Sequence, residues 1–598
     1  MSRFPQILAL AVLVPPAFAQ TTTLVSVASN GVQGNDHSYF SSISTDGRWV
    51  AFTSSANNLV SGDMGFIDDA FVRDRQTGTT DRVNLSSLGT AGNGYTFFPS
   101  ISATGRYVAF TSYANNLVPS DTNGAPDIFV RDRQNQTTQR VSVDSGGVEG
   151  NDISQYPSIS ADGRYVAFMS HASNLVPGDT NGVADVFVRD LQSGTTERIS
   201  VDSLGSQGDR ESLLTSTAAL SADGRYVVFH SSATNLVPVD TCIWADVFVR
   251  DRQAGTTELV SIDSNGAQGS AGSGAGAISA DGRYVAFQSG SSLVPGDTNF
   301  NQDVYVRDRQ SGTTERVSVS TAGVQGNGDT VGLPSISADG TCVVFASNAV
   351  NLFPTDTNGS VSDFLLRDRS AGTTERVSVS WSGAQAALYS WNASVSSDGR
   401  YVAFDSDGDN LVPVDTCTGR DVFVRDRLGA PGFTSLCDPG AAGVQICPCG
   451  NPPSGPGRGC DNSAATGGAS LAAAGATFLS SDSLVFTTAG EKPTATSILL
   501  QGTSSPAAGV VYGQGIRCVG GALKRLFTKT ASGGAITAPE FGTGDPTVSA
   551  RSAAKGDVIQ LGQSRWYLVY YRDPIVLGGC PATSTFNATQ TGQVVWSP

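Results

Sequence analysis

From residue 21 to residue 430 the chain alternates short apolar runs with polar, glycine-bearing turns. The stretch "YPSISADGRYVAFMS", from Tyr156, reads as a short strand, a tight Asp162-Gly163 turn and a second strand from Arg164 to Ser170. "DVFVRDLQSGTTERISVDS", from Asp185, adds a third strand, a Gln-Ser-Gly turn and a fourth strand from Thr195. Gly takes positive φ without steric cost, so Asp-Gly and Ser-Gly suit such turns. The strands are rich in Val, Ile, Phe, Tyr and Thr, which fit a pleated, packed surface. "YVAF" and "VFV" are nearly continuous apolar runs, which predicts cover on both faces. No helical period appears in the unit.

The unit repeats. A "SxDGR" marker or near variant places its glycine at Gly47, Gly105, Gly163, Gly224, Gly282, Gly340 and Gly399, with gaps of 58, 58, 61, 58, 58 and 59 residues. Seven four-stranded units, each needing neighbours on both faces, predict a seven-bladed β-propeller. The last unit lacks its fourth strand: "DVFVRDR" runs into "LGAPGFTS". Thr21 to Asp36 supplies one, matching Thr137 to Asp152 at eleven of sixteen positions. The expectation is that this N-terminal strand completes the seventh blade and closes the ring.

The flanks read differently. "MSRFPQILALAVLVPPAFAQ" has a basic start, a short apolar run and Ala17-Phe18-Ala19, the layout of a secretory signal peptide over residues 1–19. The propeller is expected over 20–430. A Gly/Pro/Cys-rich linker follows over 431–465 and a small β-sandwich-like domain over 466–598. The only lysines, Lys492, Lys524, Lys529 and Lys555, fall in that last domain. Cys437, Cys447, Cys449, Cys460, Cys518 and Cys580 crowd this third of the chain, and export favours disulfides over zinc. The whole chain is therefore read as all-β.

The repeat "PSISADGRYVAFxS" resembles that of the TolB-like β-propeller family over roughly residues 21–430. The resemblance implies the propeller fold. It implies little about activity, since such repeats serve envelope proteins, peptidase side domains and lyases. Seven units stand here where TolB itself has six. The "CPCGN…GCDNS…RCVGG" series resembles a C-terminal domain of exported bacterial proteins.

In each unit two connections are tight and two are long. Alternate connections lie on opposite faces, so the long loops share one face, the candidate functional surface. That face carries "GDTNGVADVFVRD" and its relatives. Calcium takes six to eight hard oxygens. Candidate ligands are Asp121, Asn123 and Asp127; Asp179, Asn181 and Asp185; and Asp297, Asn299, Asn301 and Asp303. The competing reading makes each Asp a turn cap, accepting hydrogen bonds from the N–H groups of its own loop. The Arg residues of "VRDR" are read as repeated ion pairs at the blade edge.

Formal net charge is −16, which disfavours nucleic acid. The apolar start is too short to span a bilayer, and no later run is long enough. His37, His171 and His230 occupy different repeat positions, and no Gly-x-Ser-x-Gly elbow exists. Catalytic residues and cofactor-binding residues are therefore assigned to none. The reading is a non-catalytic binding or scaffolding module, periplasmic or extracellular, whose partner is an envelope or extracellular protein or polysaccharide. The alternative is a polysaccharide lyase or hydrolase using loop-face carboxylates.

Overall fold

The computed structural model describes residues 21–596. Excepted are 64, 354–355, 360, 381–382, 413–414, 418, 428–433, 436–438, 440–444, 446, 450, 455–457, 475–483, 507, 513, 541–542, 561–562 and 574–584. The expected signal peptide lies outside the described residues. The chain forms two compact units, one spanning Thr21–Arg427 and the other holding Leu428–Pro598.

The first unit contains seven four-stranded antiparallel sheets. In the second blade the strands are Thr96–Ile101, Tyr107–Ser112, Asp127–Asp132 and Thr137–Arg140. Burial follows the apolar pattern. All six residues of the third strand are buried, and five of six in the second, whereas the fourth strand alternates. The core is the set of spaces between blades. Val108, Phe110 and Phe129 of the second blade pack against Val72 and Val83 of the first. Burying one such Phe contributes about 1.5–3 kcal/mol.

The ring closes as the repeat arithmetic requires. The N-terminal strand Thr21–Leu24 pairs antiparallel with the last blade's third strand, Asp421–Asp426, from Thr21↔Asp426 to Leu24↔Phe423. Beyond the strand, the Val25 N–H donates to Val422 O at 2.8 Å, and Ser26 Oγ donates to Asp421 at 2.5 Å. The blade is thus built from both ends of the unit.

First strands pack against first strands of adjoining blades, so they surround the axis. The unit with the 61-residue gap departs from the rest. Its first strand is only Ser212–Leu213. The segment after it runs inward: Thr217 O accepts hydrogen bonds from Ser100 at 3.2 Å and Ser158 at 3.0 Å, two other blades. Ala218 O accepts from Ile278 N of a third at 3.1 Å. The extra residues are a cross-brace over the axis.

The tight-turn face is locked by one contact used repeatedly. Gly163 has φ +78°, and a Cβ there would meet the Tyr107 ring of the preceding blade at 2.1 Å. Glycine is needed for both reasons. Each "GR" arginine, such as Arg106, forks onto the "VRD" aspartate of its blade: Nε–Asp132 Oδ1 3.0 Å and Nη2–Oδ2 2.7 Å.

The second unit has a six-stranded sheet whose long members are Thr496–Gly502, Lys524–Thr530 and Ser564–Arg572. A three-stranded sheet joins Ser470–Ala474, Val485–Ala489 and Thr537–Ala538. Thr434–Ser435 adds to the edge of the larger sheet. Tyr567, Tyr571 and Trp596 are fully buried core. Cys447 bonds Cys460, and Cys449 and Cys518 are also disulfide-bonded, while Cys242, Cys342 and Cys417 are free thiols. Cys437 and Cys580 lie outside the described residues. No described helix is long and apolar enough to cross a membrane.

Candidate functional site

The candidate calcium loops hold a cation of the protein's own. In the second blade Asp121, Asp127 and Glu149 come together, with carboxylate oxygens within 4.8 Å of one another. Arg140, from the fourth strand, reaches all three: 3.4 Å to Asp121, 3.6 Å to Asp127 and 2.5 Å to Glu149. Arg198 lies 3.9 Å from Asp179 and 3.4 Å from Asp185. Arg316 lies 3.1 Å from Asp297 and 3.3 Å from Asp303. Asn123 and Asn181 each spend the side-chain oxygen on an N–H of their own loop and the amide on a carbonyl of the next, Gly150 O or Gly208 O. Asn299 does the same, binding Asn301 N and Gly326 O. Asn301 therefore takes part through its backbone.

The second aspartate differs from a turn cap. Asp127 accepts from Ser142 Oγ, just past the fourth strand, at 2.6 Å and from the Asn123 side-chain amide at 3.3 Å, not from backbone N–H groups of its loop. Burial raises its carboxyl to about 6 against the pull of Ser142 and Arg140. Two blades lack the arginine, having Leu259 and Leu24 in its place. There a glutamine bridges both carboxylates: Gln268 at 2.7 Å to Asp240 and Asp246, and Gln33 at 2.6 and 2.8 Å to Asp415 and Asp421. With no cation present, burial pushes Asp421 up to about 7.

The "VRDR" arginines divide in two. The first is caged by carbonyls: Arg131 donates to Ser86 O at 3.1 Å and Gln136 O at 2.9 Å. The second makes the expected edge ion pair with the preceding blade, as in Arg133–Asp81 at 3.2 Å and Arg252–Glu197 at 2.6 Å.

The chemistry on the long-loop face concentrates where the first strands begin, around the axis. The second residue of the first strand is Tyr39, Phe97 and Trp391 in the first, second and seventh blades. A β-bulge follows it, and in three adjoining blades the bulge residue is aromatic with φ in the left-handed region: Phe40 at 55°, Phe98 at 53° and Tyr156 at 57°. Bulky residues rarely adopt that conformation, and each costs about 1–3 kcal/mol unless the surroundings hold it. The rings hold one another: Phe40–Phe98 and Phe98–Tyr156 centroids are both 4.4 Å apart. Tyr95 (50% exposed) and Tyr113 (48% exposed) flank Phe97. Trp391 (46% exposed) packs on Tyr389 at 5.7 Å. The result is an aromatic crescent over four consecutive blades.

A charged group sits at its end. Arg420 lies over the Trp391 ring at 4.5 Å, 3.0 Å from Asp407 and 3.8 Å from Asp405. Trp391 Nε1 donates to Asp407 at 2.9 Å. Asp405 is fully buried, and burial raises its carboxyl to about 7 despite Arg420 and the Asn392 amide at 3.3 Å. The backbone N–H of Phe40 faces it. Tyr39 Oη donates to Asp68 at 2.5 Å. Burial and that carboxylate push the phenol upward. Planar apolar faces beside fixed carboxylates and a guanidinium can take a ligand with one apolar face and a hydroxylated rim. Repeat alignment leaves a trace of it, because Tyr39, Phe97 and Trp391 fall in one column of the repeat and Phe40, Phe98 and Tyr156 in the next.

The chain is a seven-bladed β-propeller protein. Among solved structures it is similar to TolB from Acinetobacter baumannii, with 16% identity over 55% of this chain and 63% of that one, TM-score 0.32. It therefore spans less than two thirds of that chain. It is also similar to an oligogalacturonate lyase from Vibrio parahaemolyticus, with 14% identity over 66% and 90%, TM-score 0.38. An oligogalacturonate lyase in complex with manganese gives 14% over 68% and 96%, TM-score 0.40. Likeness at this level concerns the fold alone. No family model matches the sequence, and a comparison with curated proteins finds no relative.

Proposed function

We propose that the protein is an exported binding module, periplasmic or extracellular, that holds a polysaccharide chain along the aromatic crescent. The carrying observation is the strained trio Phe40, Phe98 and Tyr156, whose tilted rings touch in sequence, with the exposed Tyr95, Tyr113, Tyr389 and Trp391 on the same blades and the adjoining seventh. Strain of that kind persists where the surroundings over-determine it, and it supports a working surface. Sugar rings would lie on the aromatic faces, and Asp407 and Arg420 would bond their hydroxyls. The signal-peptide layout of residues 1–19 supports export.

A second reading, a lyase or hydrolase at the same place, is supported by the Asp405–Arg420 pair, a carboxyl poised near neutrality beside a cation. The mature chain is assayed for retention on a panel of insoluble acidic and neutral polysaccharides, with the supernatant monitored for released oligosaccharides. Retention without release, lost at least tenfold in Trp391→Ala, is expected. Release that stops in Asp405→Asn establishes the enzyme reading. Retention unchanged in both Trp391→Ala and Phe97→Ala refutes the crescent.

A further inference from the structure

On the opposite, tight-turn face one blade junction lacks a part that six others possess. At those six, the last arginine of "VRDR" bonds a turn carbonyl of its own blade and reaches over to the preceding blade. Arg75, Arg133, Arg252, Arg309, Arg369 and Arg427 donate to the carbonyls of Gly47, Gly105, Gly224, Gly282, Gly340 and Gly399. Five of the guanidinium groups lie over the preceding blade's aromatic ring at 4.3–4.6 Å, on Tyr401, Trp49, Tyr165, Tyr226 and Tyr284. Five pair with a carboxylate of the preceding fourth strand: Asp81, Glu197, Glu258, Glu315 or Glu375.

Between the second and third blades the arginine is Leu191 and the carboxylate is Gln139. Both changes fall on the same contact. The rest of the socket remains. Tyr107 keeps Arg106 on one side at 4.7 Å, and no described arginine covers its other side. Gly163 O, the equivalent carbonyl, receives no hydrogen bond among the described residues. A cleft of about 400 Å³ stands there, lined by Tyr107, Gln139, Gly163 and Leu191.

We propose that this cleft is a binding site for a guanidinium group brought by another polypeptide, an arginine side chain entering where the protein's own arginine enters six times. The Tyr107 face supplies a cation–π contact, and Gly163 O and the Gln139 carbonyl oxygen accept N–H groups. The cleft lining also holds the carboxylates of Asp132 and Asp162 beside Arg164, whose charge is already paired with Asp190, as that of Asp132 is with Arg106. The site lies on the face away from the crescent and does not depend on its ligand.

The test uses the full mature chain and two capped tripeptides, Gly-Arg-Gly and its neutral isostere Gly-citrulline-Gly, followed by saturation-transfer NMR at millimolar concentration. Saturation of the arginine methylenes at least fivefold stronger than that of citrulline is expected. Leu191→Arg, which restores the arrangement of the other junctions, should abolish the signal and leave or raise the melting temperature. Gln139→Glu should strengthen arginine binding severalfold, a readout that does not depend on Leu191→Arg folding. Equal signals from both peptides, a signal that survives Leu191→Arg, or one that Gln139→Glu fails to strengthen would overturn the proposal.

Discussion

If the N-terminal strand closes the ring, it should bear load like an internal strand. Val25 tests this because the repeat supplies its own control. Val25 follows Thr21–Leu24 as Val141 follows Thr137–Arg140, and the two are 1% and 0% exposed. The Val25 N–H bonds Val422 O at 2.8 Å, and the Val141 N–H bonds Ile128 O at 2.7 Å. Replacing either by Ala removes two buried methyl groups. At about 0.8 kcal/mol per group plus a small cavity term, each costs roughly 2 kcal/mol. Denaturant unfolding of the mature chain, read through the propeller transition, gives the two values. Hydrogen exchange at residues 21–34 adds a local check. Equal losses within about 0.5 kcal/mol fit a closed ring. A loss near 2 kcal/mol for Val141→Ala but none for Val25→Ala would mean that the terminal strand is an appendage, and the closure argument would fail.

Stability should fall as pH rises from roughly 4 to 7. Asp405 and Asp421 titrate near 7 and Asp69, Asp127, Asp246 and Asp363 near 6 in the folded chain. Unfolded aspartate titrates near 3.9, so across that window the native state holds protons that the unfolded state releases. Melting temperature against pH measures the slope, and Asp405→Asn should flatten it between pH 5 and 8; an unchanged slope would place the titration elsewhere. Calcium at the Asp-x-Asn loops would make melting sensitive to chelator. With Arg140, Arg198 and Arg316 already among the candidate ligands, the expected result is the same melting temperature in calcium and in EDTA. A drop of several degrees would reinstate the metal, foremost at Asp240/Asp246 and Asp415/Asp421, where no arginine intrudes. Gly163→Ala should destabilise the propeller strongly, because the new Cβ would lie 2.1 Å from the Tyr107 ring at a positive φ. A melting temperature within a degree of the parent's would show that the ring moves aside freely.

The sequence by itself determined the propeller. Strand number, blade count and closure follow from a period of about 58 residues, the Asp-Gly and Ser-Gly turns, and the match between Thr21–Asp36 and Thr137–Asp152, because all three are local or repetitive signals. It also placed the long loops on one face, which is topology. Only the tertiary structure decided what the loop carboxylates face. Asp121 and Asp127 sit six residues apart, but the arginine between them arrives from the next strand, and charge compensation across strands leaves no mark on loop spacing. The crescent left only two columns of aromatics in the repeat, without their neighbourhood. Tyr39, Phe97 and Trp391 stand far apart in the chain and look like ordinary strand aromatics until the ring brings their blades side by side. Repetition fixed the scaffold, whereas the site lies in the departures from repetition, and those acquire meaning only when neighbouring blades touch.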